Sequence, residues 1–411
     1  MSNQPYYDII IIGSGISGLY AAYNISTKYP DKSFIVLEKH KKQWIGGRSG
    51  NEMFYGAEIV TGAGIGRKKK YKLLIQLLKD LHIDYKDDPF TPNYSNLLNK
   101  DFDVNKKINE LKRAYPSKSH EAETFQEFAK TVLGEKDYKQ FLIHLGYTDY
   151  KNEDVYEVLY NYGLEDNTTT WKALHIPWKE LIFTLCEKIG MSHVKPSTDV
   201  TGITKIQENP SIFLLKTAKG HSYTCNKVIV ATTITSIRKL LPNKIYQNIE
   251  GQPFLRLYGK FSKKSIPIMQ EYVKGYTIVP GPLQKIIPMS KGVYMIAYSD
   301  NENAKLLKSH LENNHENRTF FCRLIEKSLG IQKDSLELIS IKDFYWPVGT
   351  HYYTPLDKSL YESREEFIDK AQHPANGILV IGEVVSDDQG WTEGALSSVK
   401  VGLTKKWMQS I

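Results

Sequence analysis

Residues 8–38 constrain the fold of this chain more than any other stretch. The run 8–12 is short and apolar past Asp8, as expected of a strand buried on both faces of a parallel sheet. It leads at once into Gly13-Ser14-Gly15-Ile16-Ser17-Gly18, after which Leu19, Ala21, Ala22 and Ile25 keep helical spacing through Tyr29, where Pro30 ends the helix. A second apolar run, 34–37, closes on Glu38. Strand, glycine turn, helix and strand in this order form a βαβ unit with the dinucleotide-binding fingerprint. Gly13 makes the tight turn, Gly15 lets backbone approach a pyrophosphate, and Gly18 lets the helix pack closely on the strand. The amides of Ile16 and Ser17, at the helix start, face the phosphates. Glu38, twenty residues past Gly18, is placed to accept hydrogen bonds from both ribose hydroxyls and to disfavour a 2′-phosphate, and Lys39 follows in the same segment.

At 411 residues the chain exceeds one ordinary core and suits two interleaved domains. The formal charge of +8 comes from 54 Lys+Arg against 46 Asp+Glu, of which eight are Arg. The charge is spread along the chain with no base-reading module, so no nucleic-acid partner is expected. The densest basic run, 67–72, opens an amphipathic helix and reads as its solvated end. Cys186, Cys225 and Cys322 are odd in number and lack metal-ligand spacing, which implies reduced thiols and no metal site. The polar start, the brevity of the run 9–12 and the polar last residues imply a soluble, intracellular protein without a membrane anchor.

Past Glu38 come Ile45-Gly46-Gly47-Arg48-Ser49-Gly50 and Gly62-Ala63-Gly64-Ile65, then helical spacing over 72–81. Near the other end, an apolar strand at 377–381 runs into Gly382-Glu383 and Gln389-Gly390-Trp391-Thr392-Glu393-Gly394-Ala395, with a helix continuing through Trp407. In both places the chain resembles the flavin-containing amine oxidases, which include monoamine, polyamine and L-amino-acid oxidases. The resemblance is strong over 7–83 and 373–405, moderate over 195–262 and weak elsewhere.

The resemblance implies an α/β fold in which a Rossmann-type FAD-binding domain is interleaved with an α+β substrate domain built of a mixed sheet and a helical insertion. The FAD-binding parts would be 1–85, 191–248 and 366–411, with 86–190 as helical insertion and 249–365 as substrate-domain sheet and helices. Helical periodicity at 121–142 and Trp178–Ile189 agrees with such an insertion. It further implies that Gly46, Gly47 and Arg48 crowd a long cofactor and offset its pyrophosphate, and that Gly62, Ala63, Gly64 and Ile65 lie beside it. Val200 would contact adenine, Gly382 and Glu383 the ribityl chain, and Trp391, Thr392 and Ala395 the ring system. Helix-start amides there would stabilise negative charge on a reduced ring.

On the substrate side, the resemblance places Arg256 in 253–261 at the position of a family Lys that is held through water to flavin N5; Lys260 is the alternative alignment, four residues on and on the same sheet face. A guanidinium holds a water but does not give up its proton near neutral pH, so proton transfer and reaction with oxygen are expected to slow. The alternative is a salt-bridging Arg on an exposed strand. The segment 344–353 resembles one wall of the family's aromatic cage, with His351 in place of the usual Tyr and Trp391 as the other wall. No Cys occurs in this stretch or the closing motif, so FAD is expected to be non-covalent. His175-Ile176-Pro177-Trp178 departs from a family Gly-Gly turn and leaves the substrate open. Three functions follow: oxidation of a small-molecule amine with oxygen as acceptor and peroxide as product, flavin chemistry or desaturation on a non-amine, or an FAD-binding scaffold that has lost catalysis.

Overall fold

The computed structural model describes residues 5–64, 66–116 and 123–409. Its first sheet has seven strands. Their order is Val200–Gln207, Ile212–Thr217, Ser222–Val230, Tyr6–Ile12, Phe34–Leu37 and Val194–Lys195, with Ile378–Val380 also paired to Ser222–Val230. Tyr6–Ile12 lies at the centre, parallel to both neighbours, with Ile9 opposite Phe34 and Lys227. Its alternating side chains feed two cores. Ile9 and Ile11 pack with Leu19, Ala22 and Ile25 of the helix Ile16–Lys28, whereas Ile10 and Ile12 pack with Phe213, Tyr246 and Phe367. Double-sided burial is why this strand is an unbroken apolar run.

The second sheet orders Leu338–Tyr353, Ile249–Phe261, Val293–Asp300, Lys285–Pro288, Thr277–Ile278 and Asn93–Tyr94. The two long strands Ile249–Phe261 and Leu338–Tyr353 are antiparallel, with Arg256 opposite Phe344 and Gly251 opposite His351. Behind this sheet, Leu255, Leu257 and Ile296 pack on the helix His315–Leu329 through Phe321 and Ile325.

The region 86–190 differs from a purely helical insertion. It contains Val104–Ala114, Phe125–Leu145 and Val155–Tyr160, but Lys86–Phe90 and Trp171–His175 form a three-stranded sheet with Gly66–Arg67. Helix Trp178–Ile189 packs on Ile16–Lys28, because Leu181, Ile182 and Leu185 complete the core of the first sheet. The helix expected over 121–142 begins at Phe125, where Thr124 and Glu127 form a capping box; 121 and 122 lie outside the described residues. The closing helix is split into Thr392–Gly402 and Lys405–Gln409, with the Thr404 hydroxyl accepting from the Trp407 amide. No helix among the described residues is long and apolar enough to cross a membrane.

Arg67 overturns the reading of 67–72 as a solvated helix end. It is 4% exposed and belongs to a strand, and the helix starts only at Lys72. Asp166 pairs with it and Asp388 lies 3.8 Å away, so its burial is compensated by two acids distant in sequence.

Candidate active site

Two of the three fingerprint glycines are demanded by the protein itself. A Cβ on Gly13, where φ is +105°, would stand 2.3 Å from the Ala231 carbonyl oxygen, and one on Gly18 would stand 2.1 Å from that of Gly13. Gly15 is different: its φ is −65°, open to any residue, and an added Cβ would meet nothing within 4 Å. Gly15 also caps the helix Ile16–Lys28 without any side-chain acceptor, leaving the first-turn amides uncapped by a side chain. The Gly-Gly-Arg turn is docked alongside. Gly15 and Gly46 pair as a bridge, the Gly46 amide donates to the Ser14 carbonyl at 2.9 Å, and Gly47 has φ +58°. Ser17 is buried, with its hydroxyl near Gly382.

Glu38 is 7% exposed and accepts from the Ser14 amide at 2.9 Å and hydroxyl at 2.7 Å, and from the His40 amide at 2.8 Å. Lys39 turns away, 3.6 Å from Asp199, and Val200 begins the edge strand Val200–Gln207 with its side chain in the core.

Arg48 Nη1 donates to Glu383 Oε1 at 2.8 Å and to the Gly349 carbonyl at 2.6 Å, which ties the early turn to the closing motif and the second sheet. Glu383, just past Gly382, also accepts from the Gly390 amide at 3.1 Å and from His351 Nδ1 at 2.5 Å. Burial would raise its carboxyl pKa, but His351, Arg48 and the Gly390 amide together hold it well below the usual range. His351 Nε2 accepts from the Ile234 amide at 3.0 Å, which fixes the neutral tautomer with the proton on Nδ1. Both ring nitrogens are thus committed and the side chain has no exposed surface. His351 is therefore not the second wall of an aromatic cage, contrary to the sequence expectation.

These segments enclose a cavity whose lining joins Ile16, Arg48, Gly62, Ala63 and Gly64 to Glu383, Trp391, Thr392 and Ala395. Ile65 lies outside the described residues. Arg256 closes one side. It is 6% exposed, its Nε donates to the Gly62 carbonyl at 2.5 Å, and its guanidinium sits 4.1 Å over the Tyr298 ring. It is neither exposed nor salt-bridged, and burial acting against its charge is outweighed by Tyr298 and Tyr258 beside it, so it stays protonated. Lys260 instead donates to the Lys291 carbonyl at the strand's far end and lines neither cavity.

A second cavity, of about 600 Å³, shares the wall made by Gly64, Tyr147, Tyr162, Arg256, Tyr298 and Trp391. Trp391, expected from the motif to be an aromatic wall, lines both cavities, but Arg67 already lies 4.0 Å over its ring and Tyr71 meets it edge-on. Tyr147, Tyr162 and Tyr298 escaped the sequence reading; the one available signal was the cluster Tyr147-Thr148-Asp149-Tyr150 just past a helix-ending Gly146. The cysteines are buried in three separate cores, and none lines either cavity among the described residues.

Residues 11–81 match the family described as an NAD(P)-binding Rossmann-like domain. Over almost its whole length the chain has the fold of the flavin amine oxidases. A putrescine oxidase redesigned in its cofactor binding superposes with a TM-score of 0.73 at 13% identity, covering 97% of this chain and 98% of that one. The cyclohexylamine oxidase of Brevibacterium oxydans gives 0.73 at 15% identity, covering 98% and 99%. An uncharacterised protein of Acanthamoeba polyphaga mimivirus is 21% identical over 493 residues, 98% of this chain and 94% of that one.

Proposed function

We propose that the protein is an FAD-dependent oxidoreductase that oxidises a small-molecule amine, with FAD held non-covalently. The observation that carries the cofactor is Gly15, a glycine that neither its backbone angles nor its protein neighbours require. A ligand brought against the backbone accounts for it. Trp178 Nε1 and Gln252 Oε1 add to the fit: both are buried without a hydrogen-bond partner among the described residues, on side chains that line the first cavity.

Residues 13–18 with Gly46, Gly47 and Arg48 would hold the pyrophosphate, Glu38 the adenosine ribose and Val200 the adenine. Residues 62–64, Glu383, Thr392 and Ala395 would surround the ribityl chain and ring. No cysteine lines the cavity, which favours non-covalent retention. FAD, when bound, would supply a two-electron acceptor for the hydride on the carbon beside the substrate nitrogen, with oxygen and a proton yielding hydrogen peroxide and the substrate leaving as an imine that water hydrolyses.

The chain supplies binding and electrostatics. The larger cavity carries the carboxylates of Glu58, Asp84, Asp88, Asp166 and Glu180 against the cations Arg67, Lys86 and Arg256, which favours a cationic substrate. Tyr147, Tyr162, Tyr298 and Trp391 face it with rings at the wall shared with the first cavity. Arg256 orders that wall but has no proton to release at neutral pH. One observation favours a non-amine substrate instead: the cation of Arg67 already covers a face of Trp391.

The test is anaerobic addition of primary and secondary amines, including putrescine and cyclohexylamine, to the flavin-loaded protein, followed by air. Bleaching of the flavin by an amine, with colour and peroxide returning in air, supports the amine reading. Bleaching by none of them, with flavin bound, excludes it.

A further inference from the structure

Hydride loss from an amine carbon needs the nitrogen lone pair, so an ammonium substrate must lose a proton before it reacts. Several charged groups around the two cavities are already committed. Arg256 accepts no proton, His351 has both nitrogens engaged, Glu383 holds Arg48, and Asp166 and Asp388 flank Arg67. Glu157 is paired with Arg364 at 3.1 Å.

Of the cavity carboxylates without an ion pair among the described residues, which include Glu153, Asp387, Glu58, Asp84 and Glu180, Asp149 is the one held by a tyrosine that lines both cavities. It lines the first cavity, is 9% exposed, and accepts from the Tyr162 hydroxyl at 2.6 Å without a salt bridge. Tyr162 lines both cavities, so its ring bridges this carboxylate to the larger one. The Asp149 segment is pinned on several sides. Its carbonyl accepts from Gln252 Nε2 at 2.7 Å, the Thr148 amide donates to Asp300 at 2.9 Å, and Asn301 Nδ2 donates to the Thr148 carbonyl at 2.7 Å.

We propose that Tyr162 and Asp149 are the proton-accepting pair of the site. On the amine reading above, Tyr162 Oη takes an N–H proton from the bound ammonium as its own proton passes to Asp149 Oδ1. One N–H and one Tyr O–H bond break, one Tyr O–H and one carboxyl O–H bond form, and no electrons are transferred. A phenol that donates to a carboxylate keeps its lone pairs for such an incoming N–H.

The surroundings tune the acceptor. Burial and the charge of Asp300, at the end of its strand, push the Asp149 carboxyl up to about 7, against the hydrogen bond from Tyr162 and the charge of Lys285. Glu153 and Tyr150 face it from its own segment. Lys285 is fully buried over the Tyr147 ring, and burial lowers its pKa well below the ordinary value. Burial raises Tyr162 well above 10, so it stays a neutral relay. Asp149 accepts only when ionised, so reduction of the flavin falls as pH drops through about 7.

The experiment is stopped-flow anaerobic reduction of the flavin-loaded protein by saturating cyclohexylamine or putrescine across pH, with Asp149→Asn and Tyr162→Phe. In Asp149→Asn we expect reduction slowed roughly 100-fold or more and the inflection near pH 7 lost. Tyr162→Phe should slow reduction roughly tenfold or more with flavin still bound. An infrared difference spectrum between about pH 6 and about pH 8 provides a readout that needs no turnover: a protonated carboxyl band lost with rising pH in wild type and missing in Asp149→Asn. Wild-type rate and inflection retained in Asp149→Asn, or no such band in wild type, overturn this role alone. No reduction by either amine in any form overturns the amine reading and the relay with it.

Discussion

The guanidinium of Arg67 lies 4.0 Å over the indole ring of Trp391, the aromatic residue that opens the closing helix and faces both cavities. The contact places a fixed, buried cation where a cationic substrate would seek the same ring. Replacing Arg67 with Met keeps an unbranched apolar stem and removes the charge. Asp388, whose carboxyl burial already raises to about 6, should then rise further. Stability should fall by up to about 3 kcal/mol, because Asp388 loses its cation while Asp166 keeps Lys70. Amine affinity should increase several-fold as the cavity becomes more negative. Thermal melts and spectral titration of the bound flavin measure both, and weaker amine binding would contradict the assignment of Arg67 as a competing cation.

Glu383 joins Arg48 to His351 across segments far apart in the chain. Glu383→Gln leaves Arg48 without its anion and should cost about 2–4 kcal/mol near neutral pH. The sign with pH follows from the lowered carboxyl. Its stabilisation is fully present above the unfolded value of about 4.3 and is lost as pH falls towards the lower folded value. The difference in melting temperature between wild type and Glu383→Gln should therefore shrink below about pH 4. A constant difference across acid pH would argue against an ionised Glu383 in the native protein.

Arg256 holds the Gly62 carbonyl and the Tyr298 ring, and as a guanidinium it keeps its proton. Arg256→Lys introduces an amine able to exchange a proton at the same place. Return of flavin colour in air after reduction should become about tenfold faster, on the order of one proton-transfer group. An unchanged rate would mean that this strand position does not limit the reaction with oxygen.

The sequence made legible what short stretches determine. The run Ile9 to Ile12 is apolar because alternate residues enter two cores, and Gly18 is fixed by the Gly13 carbonyl that the βαβ unit itself brings close, whereas the Ala231 carbonyl that fixes Gly13 comes from a distant strand end. Side chains settled by distant partners were not legible. Arg67 reads as one of a basic run until Asp166 and Asp388 fold against it. His351 reads as a cage residue until the Ile234 amide and Glu383 claim both its nitrogens. The Tyr162 to Asp149 contact joins two segments whose spacing follows no helical or strand repeat.

Retention of FAD by wild type and by Gly15→Ala tests the central claim most directly. The structure has room for the added methyl and an ordinary φ of −65°, so the apo proteins should melt within about 1 kcal/mol of each other. After incubation with FAD and gel filtration, wild type should carry yellow flavin released by acid, whereas Gly15→Ala should lose most of it. Wild type that holds no flavin, or Gly15→Ala that holds it as firmly, would contradict the account.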